Sequence, residues 1–384
     1  MSHYFDQTAT GDLDPELVEL YIESLRKYPA NPATRYASGQ LAKSALDEAK
    51  ARIGRALNCL PSEVIFTSSG TESINTVIKS VSLQTRSRDG LLLAPAAEHP
   101  ATSQSLNFAA KELGRRVAFL PLQQRSIDLD LLEDSLEKER IDLFSSVYVN
   151  NLTGAVYPIH DIAALIRKKA PQARIHVDAV QALGKCEINF AALDVDYLSL
   201  SLHKVGCPKG AGLLLANYKK PFIPLLHGGG QEEGRRSSTE NPALALVSAL
   251  AVEKAVAGYS DQFKKVSNLR EAFLTALQEE VDPKFTYELL APDSAVPHIV
   301  PLYIPGLRAQ NIQTVLSQAG WEIGIGSACS SSKQKTPQAL LDLGLTPDQS
   351  LHFLRVSLSA LHTTEEVIGL AKQIAQAVKA YAIR

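Results

Sequence analysis

The sequence of 384 residues lacks the features of membrane, secreted and nucleic-acid-binding proteins. No apolar run approaches the roughly 20 residues that a membrane-spanning helix needs. The N-terminal stretch has no basic segment followed by an apolar one, so we expect no secretory signal. The formal net charge is only -2, which favours neither nucleic acid nor a membrane surface as the main partner.

Cysteine is also scarce, and the four present, Cys59, Cys186, Cys207 and Cys329, stand far apart. No Cys-x-x-Cys pair occurs and no histidine lies at metal-ligand spacing, so we expect neither a disulfide framework nor a metal site. This usage is typical of a reducing cytoplasm. Each cysteine is then either a small buried hydrophobe or a reactive thiol.

Between about residues 60 and 215, short apolar and β-branched runs alternate with amphipathic stretches. This alternation predicts an α/β fold, a mostly parallel seven-stranded sheet with helices on both faces. The predicted strands are Glu63–Thr67, Gly90–Ala94, Arg116–Leu120, Asp142–Val149, Arg174–Asp178, Tyr197–Ser201 and Gly212–Ala216. The helices predicted between them include Glu72–Leu83, Thr102–Leu113 and Ile159–Lys169.

The remaining sequence predicts a smaller α+β domain. Its predicted elements are the helices Pro242–Ala257 and Gln262–Glu280, a strand over Val300–Ile304, and a last helix that opens with a capping box at Thr363. One face of that helix would carry Val367, Leu370, Ala371, Ile374, Val378 and Tyr381. The predicted large domain spans residues 12–255, and the small domain combines residues 1–11 with 256–384.

Polar residues follow five of the predicted strands, and ligands of α/β sheets bind at the carboxyl ends of strands. Gly70 and Thr71 lie where a strand turns into a helix. Free N–H groups and the Thr71 hydroxyl would favour an anion there, although ordinary helix capping explains the pattern equally well. His99 and Asn151 follow two further strands. Taken singly, His99 is explained by a histidine whose hydrogen bonds are satisfied within the protein, and Asn151 by an amide that forms a turn.

The other two strand ends are more informative. Asp178 ends a buried strand and needs a positive partner or several hydrogen-bond donors there; a protonated pyridine nitrogen is such a partner. Ser201, His203 and Lys204 end the next strand and lead into a glycine turn. A lysine in this place can lose its proton when desolvated and serve as a Schiff-base nucleophile. The five strand ends are specific in combination, through their order and spacing.

These residues resemble the class V aminotransferase branch of the fold-type-I pyridoxal 5'-phosphate (PLP) enzymes, and within it the cysteine desulfurases of the NifS type. The resemblance runs almost end to end. It is carried by Tyr4-Phe5-Asp6 with Ala9-Thr10, Asn31-Pro32, Thr71-Glu72-Ser73, Glu98-His99, Asn150-Asn151, His176-Val177-Asp178-Ala179 with Gln181, Ser201-x-His203-Lys204, His227-Gly228-Gly229-Gly230-Gln231-Glu232, Arg236-Ser237-x-Thr239, Gly326-Ser327-Ala328-Cys329-Ser330 and Arg355-Val356-Ser357.

The resemblance implies a PLP site with four residues around the ring. Lys204 would bind PLP as a Schiff base and move protons at the substrate Cα. His99 would stack on the ring, Asp178 would pair with its nitrogen, and Gln181 would meet its hydroxyl.

The resemblance also implies how the phosphate and the substrate are held. Four residues of one chain would hold the phosphate: Gly70, Thr71, Ser201 and His203. Thr239 would reach the phosphate bound by the neighbouring subunit, which implies a homodimer with active sites at the interface. Asn151 and Arg355 would orient the substrate carboxylate, for which a planar guanidinium is suited.

Cys329 lies in a small, polar and basic stretch with no apolar face to bury, so we expect an exposed loop there. Lys333 and Lys335 would favour its thiolate, the form that attacks sulfur. The resemblance thus implies conversion of L-cysteine to L-alanine, with a persulfide on Cys329 that passes to a sulfur-acceptor protein. The other three cysteines lack this setting, and we expect them to be packing residues.

Departures from the family pattern leave alternatives open. Glu233 and Ser238 stand where the family usually has Arg and Gly, and the cysteine loop is more basic than is common. The acceptor therefore stays open between iron–sulfur cluster assembly, thiolation and another carrier. A selenocysteine lyase, a cysteine sulfinate desulfinase or another C–S lyase would share the cofactor residues. A non-catalytic relative of the fold would have lost some of them.

Overall fold

The structure, a computed structural model, describes residues 3–85, 89–220, 222–281, 286–326 and 337–382. The strands in these ranges are β1 (His3–Phe5), β2 (Val64–Thr67), β3 (Leu91–Pro95), β4 (Arg116–Leu120), β5 (Leu122–Gln123), β6 (Ser126–Ile127), β7 (Ile141–Val147), β8 (Arg174–Asp178), β9 (Tyr197–Ser201), β10 (Gly212–Ala216), β11 (Glu288–Leu289), β12 (Ile299–Tyr303), β13 (Trp321–Ile325) and β14 (Phe353–Ser357). The α-helices are α1 (Pro15–Lys27), α2 (Ala37–Leu57), α3 (Gly70–Gln84), α4 (Pro100–Leu113), α5 (Leu129–Lys138), α6 (Ile159–Lys169), α7 (Phe190–Leu193), α8 (Pro242–Glu280), α9 (Ala309–Gln318), α10 (Gln338–Asp342) and α11 (Thr364–Ala382).

The larger sheet of the described chain has seven strands in the order β2-β10-β9-β8-β7-β3-β4. The strands from β9 to β4 run parallel, and β10 is antiparallel to both of its neighbours. The predicted seven-stranded, mostly parallel sheet is confirmed, and β4, β8, β9 and β10 have the predicted bounds. The register pairs Val147 with Asp178 and Asp178 with Ser199, so the carboxyl ends of β7, β8 and β9 meet at one edge.

A second sheet of the described residues has the order β1-β13-β14-β12-β11. β1 pairs in parallel with β13, so the N-terminal strand joins the C-terminal part of the chain. This sheet and the helices α9 and α11 enclose a separate hydrophobic core, which includes Phe5, Phe273 and Val356. The division at residue 255 stays a prediction; it falls within α8, whose first half packs in the core of the large sheet and whose second half packs in this smaller core.

Helix α8 runs without interruption from Pro242 to Glu280, so the prediction of two separate helices was wrong. The stretch between the two predicted segments contains no proline, and its one glycine, Gly258, costs only about 1 kcal/mol in a helix. Packing on α1, α2 and α11 along its length outweighs that cost. By length and composition α8 is the one helix of the described residues that could cross a membrane, but a buried core helix meets the same test, and half of its most apolar window is buried.

The predicted capping box of α11 is confirmed. The Thr363 N–H donates to Glu366 Oε2 (2.8 Å), and the Glu366 N–H donates to Thr363 Oγ1 (3.2 Å). These two bonds satisfy N–H groups that the helix start leaves free. Five of the six residues predicted for the apolar face are buried, and Tyr381 packs against the same core while half-exposed.

A buried ion pair holds the strand ends opposite the site. Arg115 Nη2 donates to Asp142 Oδ2 (2.6 Å) and to the Gly90 carbonyl (2.9 Å). Both charged side chains are almost fully buried. Replacing Arg115 by Met leaves the buried Asp142 carboxylate with only the more distant, half-exposed Arg140 (3.6 Å) as a counter-charge. We therefore expect the free energy of unfolding to fall by about 3 kcal/mol, measured by urea titration.

The matched control is Lys138→Met, which removes the exposed pair between Lys138 and Asp134 on α5. Exposed pairs contribute about 0–1 kcal/mol, so this variant should unfold almost like the wild type. Equal losses of unfolding free energy in Arg115→Met and Lys138→Met would contradict the claim that the buried pair stabilises the fold.

Candidate active site

Lys204 lies in a single 3₁₀ turn, Leu202–Val205, directly after β9. The turn ends at Gly206, whose φ of +85° is a conformation that glycine adopts without strain. A side chain there would also meet the backbone oxygen of Asp12 and the Cβ of Asp14, at 3.2 and 3.1 Å. The N-terminal segment thus lies directly over the lysine turn.

That N-terminal segment also binds the lysine side chain. Lys204 Nζ donates to the carbonyl oxygens of Thr8 (2.7 Å) and Ala9 (2.5 Å). Burial, followed by the charges of Lys185 and Arg355, lowers the pKa of Lys204 from 10.5 to about 8, against the opposing effect of two aspartates. Near neutral pH, Lys204 therefore has an appreciable fraction of the uncharged, nucleophilic amine.

Asp178 ends β8 with only 5% of its surface exposed. Its Oδ1 accepts a hydrogen bond from the Val180 N–H (3.0 Å). Burial raises the pKa of Asp178 to about 6, although the Val180 bond and the charge of Lys204 favour the ionised form. On the following turn, Gln181 Nε2 donates to the Thr8 carbonyl (3.0 Å), the same oxygen that Lys204 binds. The aspartate, the amide and the lysine thus surround one small volume.

His99 is the N-cap of α4, and its Nδ1 accepts a hydrogen bond from the Ala101 N–H (3.1 Å). An accepting Nδ1 places the proton of the neutral ring on Nε2. Burial and the charge of Lys204 lower the pKa of His99 to about 4, so the ring is neutral at physiological pH. The helix start therefore fixes both the position and the tautomer of this imidazole.

The start of α3 packs against the end of β9. A Cβ at Gly70 would lie 2.7 Å from Val180 Cγ2 and 3.3 Å from Ser201 Cβ, so only glycine permits this approach. Ser69 caps the helix, and its Oγ accepts from the Glu72 N–H (3.1 Å). Capping is therefore observed, and it leaves other N–H groups of the first turn for an anion.

Two further residues predicted for the phosphate lie in the first turn of α3 and in the turn after β9. Thr71 lies in the first turn of α3, and Thr71 and His99 line one shallow surface cavity. His203 Nδ1 is 3.0 Å from Thr10 Oγ1, which fixes the imidazole beside the lysine turn.

A cavity of about 490 Å³ opens between α4 and the small sheet, and its lining includes His99, Asn151 and Arg355. Arg355 Nη2 donates to Asp6 Oδ1 (2.7 Å), and Nη1 donates to the Asn151 carbonyl (3.1 Å). Arg355 Nε is buried and has no hydrogen-bond partner among the described residues. A buried guanidinium with a free donor is suited to an anionic ligand.

Two predicted site residues are not joined to this group. Thr239 lines a different cavity of about 150 Å³, together with Ser68 and Arg236. Arg236 Nε donates to Glu72 Oε1 (2.9 Å), which ties the Thr239 segment to α3. Cys329 lies outside the described residues.

The other three cysteines have the environment of packing residues. Cys207 is buried in the core, and Cys59 and Cys186 are half-buried. Burial raises the pKa of Cys59 and Cys207 to about 12 and that of Cys186 to about 11. These thiols therefore stay protonated at neutral pH.

Sequence reasoning assigned no role to three residues that contact the site. Asp6 binds Arg355, Thr8 binds Lys204 and Gln181 through its carbonyl, and Lys185 lies beside them. The only sequence signal was the presence of Tyr4-Phe5-Asp6 among the residues that resemble the family. No group of three or more His, Cys, Asp or Glu side chains in the described part of the chain is arranged to hold a metal ion.

The sequence profile of the aminotransferase class-V family matches residues 3–370. The chain belongs to this family. A cysteine desulfurase of Sinorhizobium fredii is 30% identical over 378 residues, which cover 98% of this chain and 96% of the relative. The cysteine desulfurase IscS of Clostridium botulinum is 29% identical over 377 residues, which cover 98% of this chain and 94% of the relative.

Solved structures extend the family likeness to the fold. A NifS-like protein superposes with a TM-score of 0.91 at 29% identity over 99% of this chain and all of the other. A NifS-like protein of Rickettsia africae superposes with a TM-score of 0.87 at 26% identity, over 99% of this chain and all of the other. The fold is that of the fold-type-I PLP enzymes, as the sequence predicted.

The raised pKa of Asp178 gives a pH-dependent stability prediction. In the folded protein the pKa of Asp178 is about 6, above the ordinary 3.8. The contribution of Asp178 to the free energy of unfolding is therefore fully present below about pH 4 and is lost as pH rises through 6. We expect Asp178→Asn, which keeps the acceptor for the Val180 N–H, to make the cofactor-free protein more stable at pH 8 by about 3 kcal/mol. Urea titrations at pH 4, 6 and 8 measure the difference.

The control is Asp261→Asn, which alters an exposed carboxylate on α8 and should have the same small effect at every pH. An Asp178→Asn difference that stays constant from pH 4 to 8 would show that burial does not perturb Asp178.

Proposed function

We propose that the protein is a PLP-dependent cysteine desulfurase, which converts L-cysteine to L-alanine and passes the sulfur to an enzyme cysteine. The observation that carries the proposal is the desolvated amine of Lys204, which lies with Asp178 and His99 at the carboxyl edge of the large sheet. The relatives named cysteine desulfurase share nearly the full length of this chain, which supports the same activity.

The residues present fit PLP. When bound, PLP supplies an aldehyde that condenses with amines and a protonated pyridine ring that draws electrons from the substrate Cα. Asp178 would pair with the ring nitrogen, since its buried carboxylate needs a cation. Gln181 would bind the ring hydroxyl, and His99 would lie on the ring. Four residues at the start of α3 and at the end of β9 and its following turn would hold the phosphate: Gly70, Thr71, Ser201 and His203.

Lys204 has the properties of a proton carrier as well as those of a nucleophile. With a pKa near 8, its amine takes up and releases a proton at neutral pH at little cost in free energy. We assign it to the movement of the proton at the substrate Cα. His99 is neutral and presents Nε2–H, so it can donate a hydrogen bond without adding charge to the site.

Arg355 would bind the substrate carboxylate. Its Nη atoms are held by Asp6 and by the Asn151 carbonyl, so the guanidinium plane is fixed before the substrate arrives. Its unpartnered Nε supports this assignment, because a buried N–H group without a partner is costly. Asn151, which lines the same cavity, would orient the other side of the substrate.

Cys329 would accept the sulfur. Its thiolate attacks the substrate sulfur and the Cβ–S bond breaks. The Cβ then takes up a proton and becomes the methyl group of alanine. L-cysteine and the Cys329 thiol thus yield L-alanine and a Cys329 persulfide, with no external oxidant or reductant. The sulfur acceptor that follows, in iron–sulfur assembly or thiolation, stays a prediction.

We also propose that the chain acts as a homodimer. Large apolar side chains are exposed on and beside α1 and α2, the most exposed being Leu13, Tyr36 and Leu41. Leu46, on α2, lines the cavity that contains Thr239, the residue assigned to the neighbouring subunit's phosphate. Light scattering should give twice the mass of the chain; a monomer would contradict the proposal.

Cys329→Ser tests the sulfur transfer. With L-cysteine as substrate, we expect this variant to form alanine at least about a hundredfold more slowly than the wild type, because it has no sulfur nucleophile. It should also carry no protein persulfide. Alanine is measured by chromatography and the persulfide by alkylation and mass spectrometry.

Cys186→Ser is the matched control and should retain both the activity and the persulfide, since burial keeps this thiol protonated. If Cys329→Ser forms alanine from L-cysteine at the wild-type rate, the assignment of Cys329 as the sulfur acceptor is wrong.

A further inference from the structure

Lys185 is a second lysine beside Lys204, and the proposed mechanism leaves it unused. It follows β8 on a helical turn in which the Cys186 N–H donates to the Ala182 carbonyl (2.8 Å). Gln181 and Lys185 are four residues apart, so their side chains share one face of the turn. Lys185 Nζ donates to Gln181 Oε1 at 3.4 Å, a long hydrogen bond.

A short chain of polar contacts joins the two lysines. The Gln181 amide accepts from Lys185 through Oε1 and donates to the Thr8 carbonyl through Nε2 (3.0 Å). Lys204 Nζ donates to the same carbonyl (2.7 Å). Because an ammonium group can only donate, Lys185 fixes which end of the Gln181 amide faces Thr8. One amide and one carbonyl therefore separate the lysines.

Packing holds the two turns together. Gly184, with a φ of +75°, lies where a Cβ would be 3.5 Å from Val205 Cγ1, in the lysine turn, and 3.5 Å from the Ala255 Cβ on α8. Lys185, Lys204 and the buried His298 line one cavity of about 330 Å³. Lys185 is therefore held beside the Lys204 turn.

Burial lowers the pKa of Lys185 itself to about 8, so at pH 7 most of this side chain is still charged, and the charge acts on both neighbours. After burial, which is the largest cause, Lys185 contributes most to lowering the pKa of Lys204 to about 8. Burial and Lys185 together lower the pKa of His298 to about 3, so that ring stays neutral. The other charged or titratable groups that interact with either lysine are Asp6, His99, Asp178, Cys186, His203 and Arg355.

We propose that Lys185 is a positioning residue for the cofactor lysine: it orients the Gln181 amide and, with its positive charge, favours the uncharged amine of Lys204. This inference rests on the proposed function, because an uncharged amine is what attacks an aldehyde carbon. Lys185 does not itself touch the reacting atoms; it acts through Gln181, Thr8 and the electrostatic field.

The test uses cofactor-free full-length protein and needs no turnover. Trace acetylation across pH 6–11, read by mass spectrometry of the Lys204 peptide, gives the pH at which this amine is half-protonated. We expect Lys185→Met to raise that midpoint by about one pH unit, because a neighbouring charge has been removed. Lys185→Arg keeps the charge and should retain the wild-type midpoint.

The rate of PLP uptake gives a second readout. At pH 7 the visible absorbance should appear about tenfold more slowly in Lys185→Met, since one pH unit changes the fraction of free amine tenfold. The difference should vanish near pH 10. Lys254→Met is the matched control: Lys254 lines the same cavity but pairs with Asp14 and Glu16 at the surface, so its loss should move neither readout.

Unchanged Lys204 midpoints in a folded Lys185→Met protein would overturn the proposal, as would equal shifts in Lys185→Met and Lys185→Arg. If Lys185→Met does not fold, Lys185→Gln replaces it in the same comparison. The wild-type assay for alanine is independent of these labelling results. A protein without desulfurase activity but with the predicted midpoint shift would therefore refute the proposed function and leave the Lys185 effect intact.

Discussion

The site depends on the burial of one ammonium group beneath the N-terminal segment. Residues that precede the first helix lie over the Lys204 turn, and two of their carbonyls bind its Nζ. Loss of water disfavours the charged amine, and the nearby cations disfavour it further. A lysine in this position thereby gains chemical reactivity at neutral pH that an exposed lysine lacks.

The same segment couples the two parts of the fold. β1 pairs with β13 in the small sheet, and Asp6 then binds Arg355 on β14. Two residues later, the Thr8 carbonyl binds Lys204 and Gln181 at the edge of the large sheet. The cation proposed for the substrate carboxylate and the cofactor lysine are therefore held by one short segment of the chain, the first through the Asp6 side chain and the second through backbone carbonyls.

Hydrophobic periodicity predicted the large sheet well, because strands that are buried on both faces form continuous apolar runs between helices. The strand ends at Asp178 and Lys204 were likewise visible in the sequence. The continuity of α8 was not visible, because tertiary packing on both cores outweighs the weak local cost of Gly258. The contacts of Asp6 with Arg355 and of Thr8 with Lys204 and Gln181 join segments that are distant in sequence, those of Thr8 through its backbone carbonyl, so no local pattern reports them.

Trapping the cofactor on the protein tests the central claim most directly. Borohydride reduces a Schiff base to a stable amine, so protein reconstituted with PLP can be reduced, digested and mapped by mass spectrometry. The account predicts one pyridoxyl-modified peptide, with the modification on Lys204, and none in Lys204→Ala. Modification of another lysine in the wild type, or no modification at all, would contradict it.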